Sequence, residues 1–259
     1  ASVTIPDSII ISKRVFENCG SLTNIIIPDM NREKILKSWE SLQNLNKPTW
    51  EEFEEMHASI QQAAFAGCSS LKSVTIGNGF TSIGERAFLN CSEMTSITIP
   101  HSMKTIGDNA FMGCSNLIDV AIPDNVINIG KSVFFNCSSL ESVTINDSII
   151  KFGFRELFLD SISQGNLKKV TISGSVSSIP KFAFRDCSSL ISVTIPNSVI
   201  SIERASFSGC SSLTSLAIGN SVVTIEERAF ESCSSLMEVI IPKSASRIGN
   251  AAFKNCKRL

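Results

Sequence analysis

Nine cysteines are the residues of this chain best suited to chemistry, because convergent thiolates bind metals or form disulfides. Their spacing argues against both. Cys68, Cys91, Cys114 and Cys137 stand 23 residues apart, and Cys187, Cys210, Cys233 and Cys256 keep the same step. The number is odd, no Cys-x-x-Cys pair occurs, and equivalent positions on successive turns of a repeat point the same way. Parallel Cβ vectors disfavour the disulfide dihedral. The pattern predicts a ladder of buried, reduced thiols behaving as small hydrophobes. Two histidines, His57 and His101, add little, and no Gly-x-Ser-x-Gly, His-Glu-x-x-His or phosphate-loop pattern is present. No catalytic, cofactor-binding or metal-binding residue is predicted. Asn90, Asn136 and Asn146 fit the N-glycosylation triplet, but the first two belong to the repeated Asn-Cys-Ser text.

The elements that carry these cysteines follow from the same spacing. Of 259 residues, 43% are hydrophobic and 18% charged, enough to bury a core, and the formal net charge of -1 gives no basic face for nucleic acid. No stretch of about 18 apolar residues suggests a membrane span. Sixteen Phe against no Tyr points to a copied template. Phe precedes Cys by three residues and an apolar residue follows by three, as in Phe88, Cys91 and Met94. Next comes an alternating stretch such as Leu71, Val74 and Ile76, the period-2 mark of a strand with one buried face. Pro100, Pro123, Pro196 or Gly219 ends it. Phe16, Phe65, Phe88, Phe111, Phe134, Phe158, Phe184, Phe207, Phe230 and Phe253 make a stacked internal spine.

Two gaps break the period. From Cys137 to Cys187 the step is 50, and a degenerate unit is legible as Ile149, Phe152, Phe158, Ser161, Leu167, Val170 and Ile172, with excess residues near Gly165. From Cys19 to Cys68 it is 49, with the excess between Ile27 and Ile60. From Asn31 to Asn46 that insertion has helical spacing in Ile35, Trp39 and Leu42, widened by Leu36 and Leu45. A second helix starts at Thr49, in capping-box spacing with Glu52, and runs through Trp50, Phe53, Met56 and Ile60. Asn46, Lys47 and Pro48 turn between them. The array then holds about ten units. A unit of this length cannot bury its apolar face alone, so residues 1–259 are predicted to form a single solenoid, with 31–57 as a helical-hairpin insertion. Residue 1 falls inside a strand unit and Leu259 stops before the next strand is due, so the chain reads as a fragment without capping modules.

The repeated text Cys-Ser-Ser-Leu-x-x-Val-x-Ile-Pro-x-Ser-Val-x-x-Ile-x-x-x-Ala-Phe resembles the BspA-like (Treponema-type) leucine-rich-repeat family. The resemblance implies a mainly β, curved leucine-rich-repeat solenoid with a parallel sheet on its concave side. It also implies a non-enzymatic protein-binding scaffold, an adhesion module at a cell surface or secreted, whose ligand is a host or matrix protein.

If Val74 and Ile76 point inward, their neighbours point outward. One outward column runs Asn24, Ser73, Ser96, Asp119, Ser142, Lys169, Ser192, Ser215, Glu238; the other runs Ile26, Thr75, Thr98, Ala121, Thr144, Thr171, Thr194, Ala217, Ile240. Small hydroxyls suit exposed strand positions, and they also suit a binding face whose variable spots are Asp119, Lys169 and Glu238. Trp39 and Trp50, the chain's two tryptophans, lie in the insertion, where they either close the hairpin onto the solenoid flank or dock a partner. Unpaired thiols, commoner in reducing compartments, keep open a different role: a cytoplasmic recognition domain of a larger signalling or effector protein.

Overall fold

A 23-residue unit leaves most of its backbone donors and acceptors without partners of its own, so it folds only against the units before and after it. The computed structural model describes residues 1–42, 47–152, 166–174 and 176–259, with the backbone alone at 148, 151 and 152. The chain divides into two compact units, residues 1–117 with 125–137, and residues 118–124 with 138–259.

In the first unit, β1 (Ser2–Thr4), β2 (Asn24–Ile27), β4 (Ser73–Ile76) and β6 (Ser96–Thr98) form one parallel sheet, and β3 (Ser59–Ile60), β5 (Ser82–Ile83), β7 (Thr105–Ile106) and β9 (Asn128–Ile129) form another. Register copies the repeat: Val74 pairs with Ile25 and Ile97, and all three are buried. The second unit repeats the plan with β8 (Asp119–Ala121), β10 (Ser142–Ile145), β11 (Lys169–Ile172), β13 (Ser192–Ile195) and β15 (Ser215–Ile218) in one sheet. Its other sheet is β12 (Ser178–Ile179), β14 (Ser201–Ile202), β16 (Thr224–Ile225) and β17 (Arg247–Ile248). Each unit is therefore a stretch of parallel-strand solenoid.

Behind the strands the chain returns through an arc that also bonds from turn to turn. The Phe65 N–H donates to the Ala87 carbonyl at 2.8 Å, and Phe88 does the same to Ala110. This arc takes a left-handed backbone twice per turn, for example at Arg86 (φ 57°) and Asn90 (φ 58°). Inside it the predicted phenylalanine spine is present. Phe16, Phe65, Phe88, Phe111 and Phe134 stack at 5.2 to 5.6 Å in the first unit. Phe184, Phe207, Phe230 and Phe253 stack at 4.9 to 5.3 Å in the second.

The insertion is a pair of helices shorter than the apolar stripes suggest. The first, α1, spans Arg32–Glu40 and not the whole of 31–46; Asn31 caps its start by accepting from the Lys34 N–H, and Ser41 follows its end. Leu36, placed on the buried stripe by its spacing, is exposed, while Ile35 is buried. Leu45 and Asn46 lie outside the described residues. The second, α2, spans Trp50–His57 with the Thr49–Glu52 capping box formed in both directions. It stops short of Ile60, which enters β3 instead. The ladder explains why: the Ile60 carbonyl accepts from Gly84 and the Gln61 N–H donates to Ile11, bonds that a longer helix would forfeit. Because β2 pairs directly with β4, the hairpin leaves the array without interrupting the sheet.

Two further departures concern the second unit. In the degenerate repeat, α3 (Asp147–Phe152) replaces a short strand. Asn146, buried at 1% exposure, caps it by accepting from the Ile149 N–H at 3.0 Å and donates to the Pro123 carbonyl at 2.7 Å, so this asparagine is a structural cap. Phe158, Ser161 and Gly165, with the side chain of Phe152, lie outside the described residues. The alternating stretch around Glu238 forms no strand; β15 is the last strand of its sheet. Here Ile240 stands where most turns place Thr or Ala and is 73% exposed.

Candidate functional site

The period-2 pattern turns every second side chain of the long strands outward. In the first unit these are Ser73 and Ser96 in one row and Thr75 and Thr98 in the next, all exposed or half-buried. The Ser73 hydroxyl donates to Asn24 Oδ1 at 3.0 Å. In the second unit Asp119, Ser142, Lys169 and Ser192 occupy successive strands in exact register, above a parallel row of Thr144, Thr171 and Thr194. Two strand spacings place Asp119 and Lys169 about 10 Å apart, too far to pair directly. The neighbouring Glu141 and Lys168 bond to each other at 2.6 Å. Neither Asp119 nor Lys169 forms a salt bridge among the described residues. Glu238 is exposed but belongs to no strand, so it does not extend this row as predicted.

Trp39 and Trp50 come together. Their rings meet edge to face at 5.9 Å, Trp39 Nε1 donates to the Pro48 carbonyl at 2.9 Å, Lys47 sits over Trp39 at 3.6 Å, and Arg32 over Trp50 at 5.8 Å. The tryptophans brace the two helices against each other and remain half-buried.

The cysteine column has a bonding role that its spacing alone does not disclose. Cys91, Cys114, Cys137, Cys210 and Cys233 each direct Sγ to the carbonyl of the phenylalanine 26 residues earlier, at 3.2 to 3.3 Å. All nine are free thiols, and all but Cys19 and Cys256 are buried. Exposed Cys19 is an exception to the buried ladder: it lies in an early turn where the arc is largely solvent-exposed. Burial raises the thiols, Cys68 and Cys256 to about 11 and Cys137 to about 12, with Cys114 and Cys210 well above the ordinary 9.0. Raised and buried in this way, the thiols hold their protons at neutral pH, which makes them poor nucleophiles.

His57 is buried, its Nδ1 lying 2.8 Å from the Phe53 carbonyl, so that nitrogen carries the proton and donates. Among the described residues no group of three or more His, Cys, Asp or Glu side chains could hold a metal ion, and no helix is long and apolar enough to cross a membrane. Two grooves flank α2, of about 590 Å³ and about 610 Å³. Lys13 lines the first, Lys104 the second and Ser82 both, and the approach of these repeat residues to α2 has no signal in the sequence.

Stacked parallel strands, inward Leu, Cys and Phe columns and an outward hydroxyl lattice define a leucine-rich-repeat solenoid. The chain belongs to the BspA type leucine-rich-repeat family: that family's region profile, described as six copies, matches residues 1–52, 40–163 and 156–259. Solved structures similar to it include a leucine rich cell surface protein from Faecalibacterium prausnitzii, 25% identical over 100% of this chain and 71% of that one, TM-score 0.41. The leucine rich repeat protein of T. pallidum is 23% identical over 91% of this chain and 77% of its own, TM-score 0.41. The pneumococcal vaccine antigen PcpA is 18% identical over 96% and 68%, TM-score 0.36. No curated protein matches the chain.

Proposed function

We propose that this chain is a non-enzymatic protein-binding scaffold, an adhesion-type module displayed at a cell surface or secreted, whose ligand is a host or matrix protein. The observation that carries the reading is the row Asp119, Ser142, Lys169 and Ser192: outward, in register, and holding two opposite charges with no salt bridge among the described residues. Ladder-bonded strands fix those groups before a ligand arrives, which lowers the ordering cost of binding. The 23-residue spacing supports treating residues 1–259 as one array, with the hairpin 31–57 as an insertion in it.

Free thiols favour the rival reading, a cytoplasmic recognition domain, only if an oxidising compartment would harm them. Seven of the nine are buried and so are shielded in either setting. The deciding experiment immobilises purified host-surface and matrix proteins and titrates them with the wild-type chain and with Asp119→Lys, Lys169→Glu and the double swap. Saturable binding, weakened by each single reversal, is expected. Absence of binding to the whole panel, or binding indifferent to all three variants, would overturn the reading.

A further inference from the structure

The hairpin contains a feature that the outward rows do not need. Its α2 carries Glu51, Glu52, Glu54 and Glu55 within eight residues and no Lys or Arg. A groove runs along each side of it. One is lined by half-buried Pro48 and Met56 together with Glu52 and Glu55; the other by half-buried Met30 together with Glu51, Glu54 and Glu55. Glu55 therefore faces both. Arg32, which also lines the second groove, is already engaged by Glu54 at 2.5 Å. Glu51, Glu52 and Glu55 form no salt bridge among the described residues, although Glu52 accepts the Thr49 N–H. Each groove has one opposing cation on the repeat side, Lys13 in the first and Lys104 in the second. With Arg32 counted beside Lys104 in the second, carboxylates exceed cations by one in each groove, next to half-buried Met56 and Met30. A partner complementary to that arrangement alternates apolar and basic side chains, its apolar ones seated on Pro48, Met56 or Met30 and its cations against the α2 carboxylates.

We propose that the two grooves flanking α2 form a docking site for a basic, apolar-alternating peptide segment of a protein partner. The inference rests on reading the chain as a binding scaffold but is independent of the outward rows. A reporter lies at the edge of the second groove: Trp50 lines neither groove, but its ring is 5.8 Å from Arg32, which lines the second. Lys104 has the opposite effect to the glutamates, since it subtracts from the negative excess, so removing its charge tightens binding.

The test titrates the whole chain with a short synthetic peptide of alternating Leu and Lys, free of aromatic residues, while tryptophan emission is followed. A saturable emission change is expected. It weakens as ionic strength rises from about 0.01 M to about 0.15 M, where the screening length falls from about 30 Å to about 8 Å. Affinity drops by about tenfold or more in Glu51→Lys/Glu55→Lys, rises in Lys104→Gln, and is unchanged in Glu238→Lys, a single charge reversal away from both grooves. Should the double reversal disturb the fold by circular dichroism, Glu51→Gln/Glu55→Gln replaces it. Equal binding of an alternating Leu and Glu peptide, an affinity indifferent to the glutamate substitutions, or no emission change would overturn the proposal. The Asp119→Lys/Lys169→Glu swap separates the two readings: it leaves this titration unchanged, while host-protein binding through the outward row responds.

Discussion

The thiol of Cys114 donates to the carbonyl of Phe88 across 26 residues of sequence, at 3.2 Å. One slot thus satisfies a backbone acceptor of the preceding turn and fills a core volume that a larger residue would overpack. Repetition of that contact gives a physical reason for cysteine to recur where disulfide or metal chemistry is absent from the reading. The sulfur is a small hydrophobe with one useful proton.

Accessibility of the thiols should follow burial. With intact protein and a thiol reagent near pH 8, Cys19 is expected to react first, Cys256 more slowly, and the buried seven only as the chain opens. After denaturation without reductant the titration should reach nine. A native count that already approaches the denatured one would show that the column is open to solvent.

The raised thiols also set a direction for stability against pH. In the unfolded chain a cysteine loses its proton near the ordinary 9.0, whereas folded Cys68 retains it to about 11 and Cys137 to about 12. Between those values the unfolded state binds fewer protons, so stability is full below about pH 9 and falls as pH rises towards 11 and 12. Melting temperatures taken from pH 8 upward should decline through this window, and Cys137→Ala should decline less steeply, whatever its starting value. Parallel slopes for the two proteins would remove the buried thiol as the cause.

Much of this was legible because the template is written many times. Phe88, Cys91 and Met94 declare their roles only through their copies, and the outward rows follow once Val74 and Ile76 are set inward. Local signals were harder to weigh against the repeat. Asn146 followed by Asp147 is a helix start, but Ile149 and Phe152 were read only as slots of a degenerate repeat, so the helix went unread. At Ile60 the reverse occurred: helical spacing continued, while the ladder to Ile83 took the residue. The left-handed slot before cysteine is visible in its residue types, Asn90, Gly113, Asn136 and Asp186 among them. The other left-handed slot is not, since it accepts Arg86, Ser132 and Ala205 alike. Inter-turn bonds such as Arg86 N–H to the Asp108 carbonyl hold it, and those follow from assembled turns alone.

Stacking position should decide the cost of truncating the spine. Phe207 is fully buried between Phe184 at 4.9 Å and Phe230 at 5.2 Å, while half-buried Phe253 has one stacked neighbour, at 5.3 Å. Phe207→Ala is expected to cost about 3 to 5 kcal/mol in denaturant melts, and Phe253→Ala clearly less. Equal losses would contradict stabilisation by nearest neighbours.

The slot before cysteine allows a sharper test, because from Asn18 through Gly67, Asn90 and Gly113 to Asn136 it alternates large and small side chains. Gly113 takes φ 76°, and a Cβ built there would run into the Asn90 side chain of the preceding turn. Gly67 stands in the same relation to Asn18, and Gly209 to Asp186. Two separate penalties are then expected of Gly113→Ala: backbone strain in the left-handed region, about 1 to 3 kcal/mol, and the collision with Asn90. Only the second depends on the neighbour. Asn90→Gly in the same chain should therefore recover part of the loss and leave the strain, so a double-mutant cycle on unfolding free energies should show favourable coupling of about 0.5 kcal/mol or more. Strict additivity would mean that the two turns do not touch at this slot, and the alternation of asparagine with glycine would then need another cause.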